Sequence, residues 1–458
     1  METSFADLLS SSTQGAYRIN TLLTRIGTDG DLEPEHGEPF TAAIALHVHE
    51  YIHSLHNLST DVGFELLYSS LVLLPAFVTK TDEHGHFHAE ADALGMNEQF
   101  DFWATITQAL RGTSVKAATL PKTADSWCFS PIRSKVWNVG LDTKKAFVTK
   151  GLNIIVTSAG CEHEVDISNI GFDFLTEGVA YEVDREVRRN SGVPEFQLDL
   201  NMPLHPYLSY RKVVDHLIGR ESSAVERIKI GVCALLTPAP SNGFFEACEA
   251  VHSDAFEVFE ALTFKRFRES VEGKIERVEH LMQFFPGDDV MAKGFSIVLR
   301  LVWSGLNVRR VRPYLELEFL KEPLSSNGFK SIVARMQDHC VLQQKPEGKI
   351  DFYWGGSDVV EVDDSTLQCL GAFQASLYFT QLHLDAEARH HSTGSLPESK
   401  CPFKGACAAE EIQANPELCS VAPWKQYMIG FNAKPGEQGC WYGVGVRALA
   451  RKTNRGQA

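Results

Sequence analysis

The chain has no excess of positive charge. Its 43 Lys and Arg are outnumbered by 59 Asp and Glu, for a formal net charge of −16. Proteins that neutralise nucleic-acid phosphates need clustered cations, so nucleic acid is not an expected partner. The one short basic run, Arg309, Arg310 and Arg312, follows an apolar stretch and reads as the end of a solvated helix. No secretory leader is expected either, because Glu2 and Asp7 stand where a basic segment and an apolar core would be needed. The most apolar run, 66–78, is shorter than a bilayer span and contains Ser69, Ser70 and Pro75, so no membrane partner is expected. Cysteine is sparse, 10 in 458 residues. Secreted disulfide scaffolds are shorter and denser in cysteine, so the expected compartment is the reducing cytoplasm, with most thiols free and buried. No repeat at solenoid spacing is visible.

What is present is ordinary globular composition, 44% hydrophobic and 22% charged, enough to build sizeable cores. The length suggests about two to four domains. Apolar periodicity predicts helices over 5–25, 41–58, 61–78 and 97–111, the third opening at the cap candidates Ser59 and Thr60. Residues 81–90 read as a polar loop holding His84, His86 and His88. Segments 135–139, 152–157 and 164–167 read as short strands. A helix follows over 169–189, and the remainder to about 385 is mostly helical with a strand at 349–354. The expected fold class is α+β, predominantly helical with a small sheet. The expected organisation is a metal domain at 1–220, a helical region at 221–390 and a Cys-bearing tail at 391–458.

The sharpest motif is His49-Glu50-Tyr51-Ile52-His53. On a helix, residues four apart share a face, so His49 and His53 present imidazoles to one point. Two histidines with the intervening Glu as general base are the zinc set of many metallopeptidases. The longer form of the motif is excluded, because it needs Gly and His where this chain has His56 and Ser59. His56 shares the face of His49 and His53, whereas His47 is expected to hydrogen-bond elsewhere. A catalytic zinc needs a third protein ligand, and the best candidate is Glu177 in Glu177-Gly178-Val179-Ala180. Gly178 and Ala180 are small enough for close packing on the 41–58 helix, and Asp173, Glu177, Tyr181 and Asp184 line one polar face. Glu65, His88, Glu90 and the run Glu162-His163-Glu164 are competitors.

On these two helices and the strands between them the chain resembles the gluzincin zinc peptidases. The resemblance implies a zincin-like domain, one catalytic Zn2+ on His49, His53 and Glu177, and Glu50 as the base that deprotonates the metal-activated water. It also implies a donor to the developing oxyanion further along, for which His205, Tyr207 and Tyr210 all qualify. The implied activity is hydrolysis of peptide bonds in a protein or peptide, with the helical region selecting the substrate or binding a regulatory protein.

Two other classes stay open. One is a non-catalytic interaction protein stapled by zinc. The other is a di-iron carboxylate bundle built from Glu50/His53 and a second Glu-x-x-His pair, Glu249/His252. Separately, Cys401, Cys407, Cys419 and Cys440 cluster in the tail and suit a structural zinc or an iron–sulfur cluster, with His390 or His391 as substitutes for one ligand.

Overall fold

The computed structural model describes residues 15–34, 39, 41–82, 84–90, 97–113, 120–121, 123–138, 146–200, 202–284, 290–345, 350–355, 364–384, 389–396, 398–404, 417–426 and 440–450. The fold is α+β and mostly helical. The expected helix over 5–25 is not formed where it can be seen. Residues 5–14 lie outside the described residues, and residues 15–26 form two strands, β1 (Gly15–Arg18) and β2 (Leu23–Ile26). They pair antiparallel across a turn in which Asn20 and Leu22 take positive φ. Asn20 pins that turn: its amide donates to Leu66 O and Ser70 Oγ, and its N–H donates to Asn57 Oδ1. The strand state comes from distant partners. β2 pairs in parallel with β7 (His339–Gln344), which pairs antiparallel with β8 (Ile350–Gly355).

Helix α1 (Thr41–Ser59) is buried on nearly every side. Its apolar Ile44, Val48, Ile52 and Leu55 are in the core, but so are His47, His49, Glu50, His53, His56 and Asn57. Helix α2 (Asp61–Lys80) starts where Thr60 accepts a hydrogen bond from the Gly63 N–H. Among the described residues it is the one helix long and apolar enough to cross a membrane by composition, and 72% of its apolar window is buried within this chain. Helix α3 (Asn97–Arg111) precedes a second sheet, in which the long β5 (Ala146–Ser158) is central. On one edge it pairs with β3 (Ser126–Phe129) and β4 (Arg133–Asn138) in succession, and on the other with β6 (Cys161–Ile167).

Helix α4 (Phe172–Asn190) leaves this sheet and packs on α1. Gly178 was expected to permit that approach. It instead accommodates Tyr210, because a β carbon there would lie 2.2 Å from Tyr210 Cγ. Tyr210 belongs to α5 (Ser209–Ile218), followed by α6 (Ala224–Leu235), α7 (Pro240–His252), α8 (Phe256–Leu281), α9 (Val290–Val311) and α10 (Ser326–Ala334). After β8, α11 (Asp364–Leu382) and α12 (Trp441–Ala450) pack on each other. The β2–β7 pairing joins residues of the first two expected regions in one sheet, and the α11–α12 packing brings the tail into one core with them.

The basic run at the end of α9 is not simply a solvated face. Arg309 is 1% exposed. Its guanidinium donates to both oxygens of Glu316, at 2.6 and 2.9 Å, and to Ser59 Oγ at 3.0 and 3.2 Å. Arg310 does reach the surface and pairs with Glu272. Removing one member of a buried pair strands the other charge, so Glu316→Gln should cost about 3–5 kcal/mol in urea unfolding. Burial would raise the Glu316 carboxyl. Arg309 and the His56 hydrogen bond outweigh it and hold the carboxyl at about 2, against an ordinary 4.5. A carboxyl depressed on folding stabilises above its ordinary value and loses that contribution as pH falls. Wild-type stability should therefore decline from pH 4.5 toward 2 more steeply than that of the Gln variant.

Candidate metal centre

The i, i+4 spacing on α1 sets the His49 and His53 rings 4.8 Å apart, edge to face. Helix α4 then brings Glu177 to them. Its Oε2 lies 3.5 Å from His49 Nε2 and 3.4 Å from His53 Nε2. Among the described residues, these three are the one group of His, Cys, Asp or Glu whose ligand atoms all lie within 4.8 Å of one another. Glu177 Oε2 is buried and has no hydrogen-bond partner. Donor atoms about 2.0–2.1 Å from one tetrahedral centre stand roughly 3.3–3.4 Å apart, so two imidazole nitrogens and a bare carboxylate oxygen at these separations fit a zinc ion.

Without a cation, the charges here are unbalanced. Burial opposes protonation of His49, but the facing Glu177 carboxylate and the Glu50 and Asp184 charges raise its pKa to about 9. Burial pushes the Glu177 carboxyl up, yet the facing His53 and His49 imidazoles hold it well below the usual carboxylate range. The centre thus draws positive charge, which protons or a metal ion can supply. Glu50 follows His49 on α1 and is 5% exposed. Burial raises its carboxyl, Glu177 adds to this, and His49, His53 and a backbone hydrogen bond from Tyr17 oppose it. Strand β1 passes so close that a β carbon on Gly15 would sit 3.0 Å from Glu50 Oε1.

Behind His53 runs a directional hydrogen-bond chain. His53 Nδ1 is 3.0 Å from Thr176 Oγ1, which is 2.8 Å from His56 Nδ1. His56 Nε2 is 3.0 Å from Glu316 Oε1. Glu316 only accepts when ionised, so His56 Nε2 carries the proton. Burial lowers the His56 pKa and favours the neutral ring, which leaves Nδ1 an acceptor. Thr176 has one hydroxyl proton and must give it to His56, so it accepts from His53 Nδ1–H. That order leaves the His53 Nε2 lone pair facing Glu177, the tautomer a metal ligand requires. Thr176, Glu316 and Arg309 were not expected in this role. A threonine beside a candidate ligand is too common to be a signal.

The three expected oxyanion donors part company. Tyr207 lies against the centre: its ring meets the His49 ring at 5.6 Å and stacks on Tyr181 at 4.9 Å, and the Glu177 charge and burial raise its hydroxyl pKa. Tyr210 is a core residue whose hydroxyl donates to Arg227 O at 2.7 Å. The small Gly178 and Gly231 make room for it. His205 stacks on Phe174 and engages Ser209 Oγ at 3.0 Å; burial lowers its pKa to about 4.

The competing ligands are placed elsewhere. Glu65 pairs with Arg277, His88 with Asp82, and Glu164 with Asn153. Glu90 is exposed, and Glu162 and His163 lie on β6. Asp173 and Asp184 pair with Arg111 and Arg188. His47 engages Gly30 O at 2.8 Å. Glu249 and His252 lie on α7, where His252 Nδ1 donates to Ile218 O at 2.9 Å, and this pair is not joined to Glu50 and His53. In the tail, Cys401, Cys419 and Cys440 are buried, and the Cys401 N–H donates to Cys419 O at 2.8 Å. Cys407 lies outside the described residues.

Thr176→Val should break the chain while keeping the shape of the side chain. Zinc affinity, read by competition with a chromophoric chelator, should fall about 10–100-fold, and Thr176→Ser should restore most of it. Equal affinity in Val and wild type would mean that the chain does not orient His53.

Compared with known proteins, the chain matches no family model, no curated protein and no solved structure.

Proposed function

We propose that the chain is a zinc-dependent hydrolase of peptide bonds, with His49, His53 and Glu177 as metal ligands in a zincin-like arrangement and Glu50 as general base. One observation carries this reading: the buried, unpartnered Glu177 Oε2 stands 3.5 and 3.4 Å from two histidine Nε2 atoms. Zinc bound there would supply Lewis acidity to a water and to the scissile carbonyl. The chain's own groups do the rest. Glu50, its carboxyl raised by burial, takes the proton of the attacking water and returns it to the leaving amine. Tyr207, whose ring lies against His49, donates to the oxygen on which negative charge develops. The β1 strand and the 205–208 segment flank the site and would orient a protein or peptide substrate. The reading keeps the cytoplasm as its compartment.

A second reading rests on enclosure. His49, Glu50 and His53 are 7%, 5% and 6% exposed, which suits a zinc that only staples α1 to α4.

Metal analysis of the purified full chain should find zinc that Glu177→Gln loses. Glu50→Gln should keep that zinc, since Glu50 is not a ligand. The same variant should lose about 10²–10⁴-fold in the hydrolysis of quenched-fluorescent casein and pooled peptides. Zinc held without hydrolysis in wild type, and equal melting of Glu50→Gln and wild type, would favour the staple. Zinc that survives Glu177→Gln would remove both readings.

A further inference from the structure

We propose that a small pocket between β1, β2 and residues 399–404 binds a multiply charged oxyanion, of the phosphate or sulfate class, through Arg18, Arg25 and Lys400.

The pocket is lined by these three cations together with Ala16, Leu23, Cys401 and Pro402, and among the described residues no acid lines it. Arg18 is 9% exposed. Its guanidinium rests over the Tyr378 ring at 4.4 Å, and it has no hydrogen-bond or ion-pair partner among the described residues. Arg25 donates to Pro402 O and Lys404 O, all at 3.1 Å, which are neutral acceptors. Lys400 is likewise without a carboxylate among the described residues. Burial and the neighbouring Arg25, Lys404 and Arg18 charges all lower its pKa.

The molecule carries 59 acidic residues against 43 basic ones, yet none of the described ones lines this pocket. Elsewhere buried cations have carboxylate partners: Arg309 with Glu316, Lys274 with Asp61, Arg227 with Glu182. Like charges gathered in a partly dry pocket repel, and burying them uncompensated is costly. An anion from outside the chain removes that cost. Guanidinium groups match oxyanions with two parallel N–H bonds, and an ammonium adds a point charge. Here the cations enter from β1, β2 and the 399–404 segment. Such an enclosure suits an ion with oxygens in several directions better than a planar carboxylate.

The walls are held independently of any ligand. Tyr378 shares a 2.8 Å hydrogen bond with Ser399 Oγ and donates to Lys400 O at 2.8 Å, while Arg25 fixes the carbonyls of residues 402 and 404. The pocket is distinct from the metal centre. Successive residues of a strand face opposite sides: Tyr17 stacks toward His53, with ring centroids 6.5 Å apart, whereas Ala16 and Arg18 face the pocket. The proposal therefore does not rest on the hydrolase reading.

Titration calorimetry of the full chain with sodium phosphate, at constant ionic strength set by chloride, tests it. One phosphate per chain is expected, with sulfate competing and acetate not. Arg18→Gln and Lys400→Gln should each weaken binding about tenfold or more, the loss of one hydrogen-bonded charge. Lys400 is the less buried of the two, so its variant retains the test if Arg18→Gln fails to fold. Glycerol 3-phosphate separates the sources: equal competition means the pocket takes a phosphoryl tip, and no competition means it takes the free ion. No binding, binding unchanged in both variants, or equal binding of acetate overturns the proposal. So does loss of bound metal in Arg18→Gln without any phosphate binding, since the cations would then balance a metal–thiolate centre at Cys401.

Discussion

A helix buried on nearly every side cannot carry His47, His49, Glu50, His53, His56 and Asn57 unless its polar groups find partners, because each unpaired one costs on the order of 1–3 kcal/mol. Much of the fold can be understood as the supply of those partners to α1. The loop at Gly30 takes His47. The β1–β2 turn takes Asn57, through Tyr17 and Asn20. Helix α4 takes His53 and His56 through one hydroxyl, that of Thr176. The end of α9 and the segment after it supply Arg309 and Glu316, which close the far end on Ser59 and His56. These partners come from residues 17 to 316, so α1 can be satisfied only when the chain has assembled around it.

The contrast between the two ends of this network is instructive. At the far end the charges close on one another: Arg309 and Glu316 are both fully buried, and the donors on that side have acceptors. At the near end Glu177 has a buried oxygen with no hydrogen-bond donor, aimed at two imidazole nitrogens. Helix α1 thus meets a completed ion pair at its C-terminal end and, along the same face, carries the two histidines of the candidate metal site. Thr176 and Glu177 are adjacent on α4, so one turn of that helix both orients His53 and supplies the carboxylate.

Features set by local periodicity were legible in the sequence. Helices α1, α2 and α3, the Thr60 cap, and strands β4, β5 and β6 follow from apolar spacing and turn residues. The His49/His53 pair was legible because helical spacing fixes which residues share a face, whereas Glu177 was reached through the resemblance of residues 177–180 and the polar face they belong to. What escaped was set by distant contacts. Residues 15–26 have enough apolar spacing to pass for a helix and become strands through pairing with 340–343. Arg309 looks like one of a solvated basic run, and only its partner Glu316 reveals otherwise. Tyr207 and Tyr210 are equivalent as residue types. The first reaches the centre and the second fills the space above Gly178 and Gly231, a choice made by packing that no spacing announces.

The long separation between His53 and Glu177 ceases to be an obstacle once the ends of the intervening segment are located. The chain leaves α3 at residues 111–113 and returns at 169–173, and the two points are clamped together. Thr113 N–H donates to Asn169 O at 2.9 Å, Asn169 N–H returns a bond to Thr113 Oγ1, and Asn169 Nδ2 reaches Ala109 O. Arg111 pairs with Asp173 in the first turn of α4, and a β carbon on Gly171 would strike the Arg111 and Gly112 backbone. The whole β3–β6 sheet is therefore an excursion whose entrance and exit coincide. Closing a loop costs free energy only as the logarithm of its length, so such an excursion adds many residues of sequence at little cost to the register of α4 on α1. The position of Glu177 depends on the clamp and on helix packing, and the number of residues between it and His53 carries almost no information about their distance in space.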